Sequence, residues 1–337
     1  MLRIGLFGVG HLGKIHLKCI RLAEQDLELV GFYDPDPAMA RKVAEDTGVP
    51  AFDSVEELLA AVDAVDIVTP TPTHHRLAKQ ALLADKHVFV EKPLTHTLAE
   101  AEELIRISHE RKLVVQVGHV ERFNPAMLAL QDRSIDPYFI EAHRLATFNP
   151  RGTDVSVVLD LMIHDLDIIL SLAKSEVADV RASGVAVVSP TPDIVNARIE
   201  FVNGAVANLT ASRISLKQMR KIRLFQPDAY ISLDLLDKET QIVRMYEADA
   251  TDIPEEGQAF PLETPKGPRI IHVNQPELGP VNAIQLELET FARSVAAGER
   301  AAVSIEDGFK ALQLAQRITE VMQEKQDKLP TPQIPQS

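Results

Sequence analysis

Gly8, Gly10 and Gly13, with His11 and Leu12 between the last two, follow a short apolar run and open an amphipathic one. In that setting a Gly-x-Gly-x-x-Gly spacing can cradle a diphosphate. The first glycine permits a tight turn, the second lets the backbone approach the phosphates, and the third lets a helix pack close to a strand. The helix N-terminus adds unpaired N–H groups and the positive end of a dipole. Asp34 ends the next apolar run, about 20 residues past the last glycine, where a carboxylate can accept hydrogen bonds from ribose hydroxyls. It would also repel a 2′-phosphate, which favours NAD over NADP. A glycine-rich turn without a ligand, with Asp34 as a solvated strand end, uses the same residues.

Glu91-Lys92-Pro93 directly follows another strand-like run. Ligands of open α/β sheets lie outside the carboxyl ends of the strands, so Glu91 and Lys92 are candidates for the cofactor end of the sheet; a surface lysine before a turn proline is an equal reading. Thr69, Pro70, Thr71 and His74 stand at the end of a further strand, where small polar and rigid residues suit a flat ring or a ribose. The neighbouring His74 and His75 do not share a helix face, and no carboxylate stands at ligand spacing, so no metal is expected.

Asp160 and His164 are four residues apart in an apolar helical stretch, which puts them on one face. Asp160 can hold an imidazole nitrogen and favour its charged form, and such a histidine can act as general base for a hydroxyl. On spacing alone a simple i, i+4 pair is the favoured reading, since such pairs are common on helices. Asp165 and Asp167 read as a solvated helix face. Arg122 and Asn124 lie in the segment joining the two halves and are candidates for substrate contact, with an interdomain ion pair as the other reading for Arg122. Arg151 is a further cation for an anionic substrate, and Arg144 and Arg213 can substitute.

These side chains need a scaffold. The chain has 337 residues, 45% hydrophobic and 25% charged, an ordinary globular composition long enough for two domains. A net charge of −14 gives no basic excess for nucleic acid. Cys19 is the sole cysteine, which excludes an intrachain disulfide and fits a reducing cytoplasm. No apolar stretch is long enough for a bilayer, and no signal peptide is expected.

Up to about residue 120, strands near 2, 28, 64, 87 and 113 alternate with helices, and a short strand is expected near Ala51. This is the grammar of a doubly wound parallel sheet, an α/β Rossmann domain over 1–120. Residues 121–328 predict a second, α+β domain: a strand over 139–147, a helix over 154–173, then a series of strands from Val180 to Tyr246, forming a large, mostly antiparallel open sheet. A loop with one edge strand is expected over 251–280, helices over 281–297 and 305–324, and an extended tail over 329–337.

The motifs Gly8–Gly13 continued by Lys14-Ile15-His16, Thr69-Pro70-x-x-x-His74, Glu91-Lys92-Pro93 and Asp160-x-x-x-His164 occur together and in this order. In that combination the chain resembles the Gfo/Idh/MocA family over nearly its whole length. The resemblance implies an NAD-dependent dehydrogenase acting on CH–OH groups, with Lys92, Asp160 and His164 as the catalytic group and a cis Lys92–Pro93 bond. The segments 118–125 and 154–167 resemble a branch that oxidises the 3-hydroxyl of a UDP-linked N-acetylhexosamine. Lys92, Arg122, Asn124, Arg151 and His164 would then contact the substrate. Val157, Val158 and Leu161 stand where many members carry glycine. A free sugar or polyol dehydrogenase and a non-catalytic cofactor-binding regulator are the other readings. A homodimer or homotetramer is expected, because an open sheet leaves one face uncovered.

Overall fold

The alternation of short apolar runs with amphipathic ones resolves into five parallel strands and their crossover helices. The computed structural model describes residues 1–131, 133–149, 155–276 and 279–326. In chain order these are β1 (Leu2–Phe7), α1 (His11–Leu22), β2 (Leu27–Tyr33), α2 (Pro37–Thr47), α3 (Val55–Ala61), β3 (Ala64–Ile67), α4 (His74–Leu83), β4 (His87–Glu91), α5 (Leu98–Arg111) and β5 (Val115–Gly118). The sheet order is β2-β1-β3-β4-β5, all parallel. The expected strand near Ala51 is a single parallel bridge to Phe32; counted as a strand, it gives the dinucleotide-binding order. Local chemistry sets the helix ends. Asp36 and Ser54 cap α2 and α3, Thr97 and Glu100 form a reciprocal capping box on α5, and Gly48 closes α2 in the left-handed conformation.

The second part runs α6 (Pro125–Leu128), β6 (Phe139–Leu145), a π-helical turn (Val158–Met162), α7 (Ile163–Ala173), β7 (Val177–Val185), β8 (Ile194–Phe201), β9 (Val206–Ser212), β10 (Met219–Gln226), β11 (Ala229–Asp234), β12 (Glu239–Glu247), β13 (Gln258–Thr264) and β14 (Gly267–Asn274). These strands form a nine-stranded sheet, antiparallel except where β6 pairs with β9. Strict alternation of buried residues with half-exposed or exposed ones along β6 and β8 shows one face turned to a core and one away from it. The region expected to hold one edge strand holds the β13–β14 hairpin. The expected tail lies outside the described residues.

Two helices close the described chain, α8 (Ala283–Ala297) and α9 (Ile305–Gln326). Chain order placed both in the second domain, and here the structure differs. The chain divides into one compact unit of 1–124 with 279–312 and another of 125–278 with 313–337. Leu288, Phe291 and Ala292 of α8 are buried in one core with Ile4, Ile20 and Phe89, and Phe89 and Phe291 meet edge to face at 6.0 Å. Burying each such side chain is worth roughly 1.5–3 kcal/mol, and that burial outweighs the order in which the helices are made. The second unit has its own core, in which Leu166 and Ile169 of α7, Ile318 of α9 and the inner sheet face meet.

Candidate active site

In the first unit the glycine turn is built for a phosphate. Gly8 has φ +91°, and a Cβ on Gly13 would lie 2.0 Å from the Gly8 carbonyl oxygen, so α1 packs directly onto the turn. A Cβ on Gly10 would meet nothing within 4 Å. Gly10 is the N-cap of α1 and offers no side-chain acceptor, and the first turn has no acidic residue. The opening N–H groups therefore have neither a capping side chain nor a competing negative charge. His11 and Leu12 are exposed there. Asp34 accepts from Val9 N at 2.8 Å through one oxygen and from Asp36 N at 2.9 Å through the other, which fixes its carboxylate beside the turn. These residues fit a dinucleotide.

Two further motifs join this edge. The His74 ring faces Thr69 O at 2.7 Å and Pro93 O at 2.9 Å, one nitrogen to each, so it ties the end of β3 to the turn after β4. Burial lowers its pKa, and the two carbonyls oppose that only in part. A Cβ on Gly8 would lie 2.9 Å from Thr69 Cγ2. Thr69 and Thr73 share a 2.6 Å hydroxyl bond, which with Pro70 and Thr71 makes the connection to α4 a tight turn. His75 looks elsewhere, to Glu103 at 2.7 Å. Lys92 is half-buried at the end of β4, and Lys92–Pro93 is cis.

Beneath the turn the candidate Glu91 joins two residues that the sequence-based candidates did not include, His16 and Asp66. His16 of α1 and Asp66 of β3 are both fully buried and 2.8 Å apart, Nδ1 to Oδ2, and His16 Nε2 lies 3.2 Å from Glu91 Oε1. Burial alone would lower the His16 pKa. The charge and hydrogen bond of Asp66, reinforced by Glu91, instead lift it well above the ordinary value. The other Glu91 oxygen accepts from Lys92 N at 3.2 Å. Asp66 carried the signal: a charged residue inside the apolar run Ala64–Thr69 needs a buried partner.

Of the substrate candidates, Arg122 lies in a 3₁₀ turn over Val120–Phe123 and is half-buried; Asn124 is 7% exposed and donates to Glu121 Oε2 at 2.9 Å. Arg151 lies outside the described residues.

In the second unit Asp160 and His164, both half-buried, are separated by one widened turn. The Ile163 N–H bonds to Val158 O, five residues back, so the regular α-helical spacing expected over 154–173 is interrupted between them. Such turns recur at functional sites. The solvated face expected for Asp165 and Asp167 is not there: they are 3% and 1% exposed. Arg144 of β6 grips Asp165 with two bonds, Nε to Oδ2 at 3.0 Å and Nη2 to Oδ1 at 2.8 Å. Arg213 donates to Val155 O at 2.5 Å. Neither arginine is the open cation that a diphosphate needs, because each is 4–6% exposed and engaged within its own unit. Among the described residues no group of three His, Cys, Asp or Glu could hold a metal, and no helix is long and apolar enough to cross a membrane.

Residues 2–119 match the family model for oxidoreductases with an NAD-binding Rossmann fold, Gfo/Idh/MocA, and residues 136–228 match a C-terminal domain of the same family. The UDP-N-acetylglucosamine 3-dehydrogenase of Acidithiobacillus ferrooxidans is 39% identical over 297 residues, 88% of this chain and 89% of that one. This chain belongs to the Gfo/Idh/MocA family. The solved structure of that same bacterial enzyme superposes with a TM-score of 0.85 at 36% identity, covering 96% of this chain and 98% of the other. The myo-inositol 2-dehydrogenase of Thermotoga maritima is 27% identical over 96% of this chain and 97% of its own. The Gfo/Idh/MocA membership makes this protein an NAD-dependent oxidoreductase, with the glycine turn and Asp34 in the domain that binds the dinucleotide. Val157 and Val158 are fully buried in the second unit's core.

Proposed function

We propose that the protein oxidises a secondary alcohol of a sugar, the 3-hydroxyl of a UDP-linked N-acetylhexosamine, using NAD. The observation that carries this is the 39% identity with the Acidithiobacillus enzyme along 88% of the chain, set against 27% for the inositol enzyme of similar coverage. Four motifs that could do the chemistry are intact alongside it.

The Gly8–Gly13 turn and the start of α1 would hold the diphosphate, and Asp34 would hold the adenosine ribose. Thr69, Pro70, Thr71, His74, Glu91 and Lys92 would line the remainder of the cofactor's path. Bound NAD supplies the acceptor for the hydride that leaves the carbinol carbon. His164 takes the hydroxyl proton on a ring nitrogen as general base. Asp160 favours the imidazolium that results. The Lys92 ammonium stabilises negative charge growing on the alcohol oxygen. Arg122, Asn124 and Arg151 are assigned to the UDP-sugar.

The test is absorbance at 340 nm with NAD and a panel of UDP-N-acetylglucosamine, UDP-N-acetylgalactosamine, free N-acetylglucosamine, myo-inositol and scyllo-inositol. Turnover is expected with the UDP-sugars, and Lys92→Met should abolish it while NAD still binds. Turnover with the inositols alone would overturn the substrate assignment. Tight NAD binding with no turnover of any alcohol would mark a regulator instead.

A cytoplasmic setting and a homo-oligomer complete the reading. On the sheet face turned away from the core, Phe139, Phe225 and Tyr230 stack in a row with ring centres 5.6 and 5.1 Å apart. A second copy would cover that strip; a monomer by light scattering would remove the argument.

A further inference from the structure

Nothing in the proposed chemistry uses His16, yet this fully buried imidazole has a carboxylate beside each ring nitrogen. It stands one turn into α1, the helix whose N-terminus receives the dinucleotide, between the carboxylates of Asp66 on β3 and Glu91 at the end of β4. Its ring meets Phe89 edge to face at 6.0 Å, so it is walled in on an apolar side as well. A buried ionic group of this kind costs desolvation energy that a well-packed apolar residue would not. An isosteric apolar filling would serve stability at least as well, so the charge calls for another role.

That role can be read from what Glu91 touches. One of its oxygens faces His16 and the other receives the backbone N–H of Lys92. A Cβ on Gly118 of β5 would lie 2.9 Å from Glu91 Cδ and Oε1, so the carboxylate lies flat over a residue that has no side chain. Glu91 Oε1 thus both faces His16 and occupies the space that a Gly118 side chain would take.

We propose that His16 is a positioning residue for Lys92: it clamps the Glu91 carboxylate, which in turn fixes the backbone from which Lys92 projects, and so couples the dinucleotide-binding helix to the catalytic lysine. This rests on the reading of Lys92 as the cation that meets the alcohol oxygen. Misplacement of a reacting group by about 1 Å costs on the order of 10²-fold in rate.

Two variants attack the clamp from its two sides. His16→Asn removes the charge; Gly118→Ala keeps every charged group and pushes the carboxylate, the movable end of a side chain. Each is expected to lower kcat on UDP-N-acetylglucosamine at least tenfold, with KM and Kd for NAD within about twofold of the parent. The double variant should be no slower than the slower single one, because both act through Glu91. A second readout needs no turnover. Acetylation of Lys92 by an N-hydroxysuccinimide ester, followed by mass spectrometry and referenced to exposed Lys42, should run at least threefold faster in both variants. A backbone no longer anchored by the carboxylate lets the Lys92 side chain move and meet the reagent. Lys92→Met is the control. If it keeps full activity, the assignment of Lys92 itself fails. If it is inactive while His16→Asn and Gly118→Ala, folded by melting, match the parent in kcat and in Lys92 acetylation, the positioning role alone is overturned.

Discussion

Both units place a buried ion pair next to a residue assigned to catalysis, and they do so with different chemistry. In the first, the neighbour of Lys92 is Glu91, held by an imidazole that can lose its proton. In the second, the neighbour of His164 is Asp165, held by the Arg144 guanidinium, which never does. The Arg144–Asp165 bridge is closed on itself by two parallel bonds. The His16 cluster has three members and reaches out of the core through Glu91, which keeps about 13% side-chain exposure. One device is a rivet between α7 and β6. The other is a strut with a titratable joint. A parallel sheet presents its functional residues on turns after strand ends, and such turns need holding individually. A helix already holds its own residues and needs only to be anchored as a body.

The largest effect should come from breaking the rivet. Asp165→Ala leaves the Arg144 charge buried with its partner gone, which should cost about 3–5 kcal/mol of stability in the second unit. Denaturant unfolding should show it, and the loss should be the same at pH 6 and pH 9. Arg144→Lys should restore only part of it, because an ammonium cannot make the two parallel bonds.

Breaking the strut should cost less and depend on pH. His16→Asn should destabilise the first unit by about 2–3 kcal/mol at pH 6. The folded-state pKa of His16 lies above its unfolded value near 6.5. The stabilisation from its proton is therefore complete below about pH 6.5 and is lost as pH rises through the elevated folded value. The gap between parent and variant should narrow on the alkaline side. A gap that stays constant to pH 10 would mean that His16 stabilises as a neutral ring.

How much of this contrast the sequence disclosed depends on where each partner lies. The glycine turn, Asp34 and the strand series were legible because their chemistry is local, within a turn or a single period. His16 and Asp66 are 50 residues apart, and only the misfit of a charge in an apolar strand hinted at their meeting. Asp165 and Asp167 looked solvated because the apolar stretch around them has no clear polar face. The π turn before Ile163 adds one residue to a helix without altering its composition, so periodicity alone passes over it. The β13–β14 hairpin carries proline and glycine in place of a clean alternation. The return of α8 to the first unit depends on Phe291 meeting Phe89, a contact no local pattern encodes.

A smaller effect tests whether the second unit is free of titrating struts. Asp193 is enclosed by its own loop, close to the surface rather than deep in the core, and accepts the backbone N–H groups of Val187, Val188 and Ser189 at 2.7–3.0 Å. Burial would raise its pKa, but the Ser189 side chain and these three bonds outweigh that and hold it far below the ordinary carboxylate value. Its contribution is present above about pH 4 and fades as pH falls toward the folded value. Asp193→Asn should cost about 1–2 kcal/mol at pH 7 and less at pH 3. Equal loss at both would show that the loop is held by shape and not by charge.

The smallest effect on stability, and the most specific to function, is expected at Gly10. Gly13→Ala drives a Cβ to 2.0 Å from the Gly8 carbonyl oxygen, a backbone clash that must distort the turn, whereas a Cβ at Gly10 meets open space. The protein itself gives no packing reason for the second glycine. If the space is kept for a diphosphate, Gly10→Ala should melt within about 1 °C of the parent, given the small effect of surface substitutions away from packed features. NAD should nevertheless bind it at least tenfold more weakly by isothermal titration. Gly13→Ala should lose both stability and binding. Unchanged NAD affinity in Gly10→Ala would mean that the phosphates lie elsewhere along the turn, and the first unit's geometry would then need a different ligand path from the one its glycines describe.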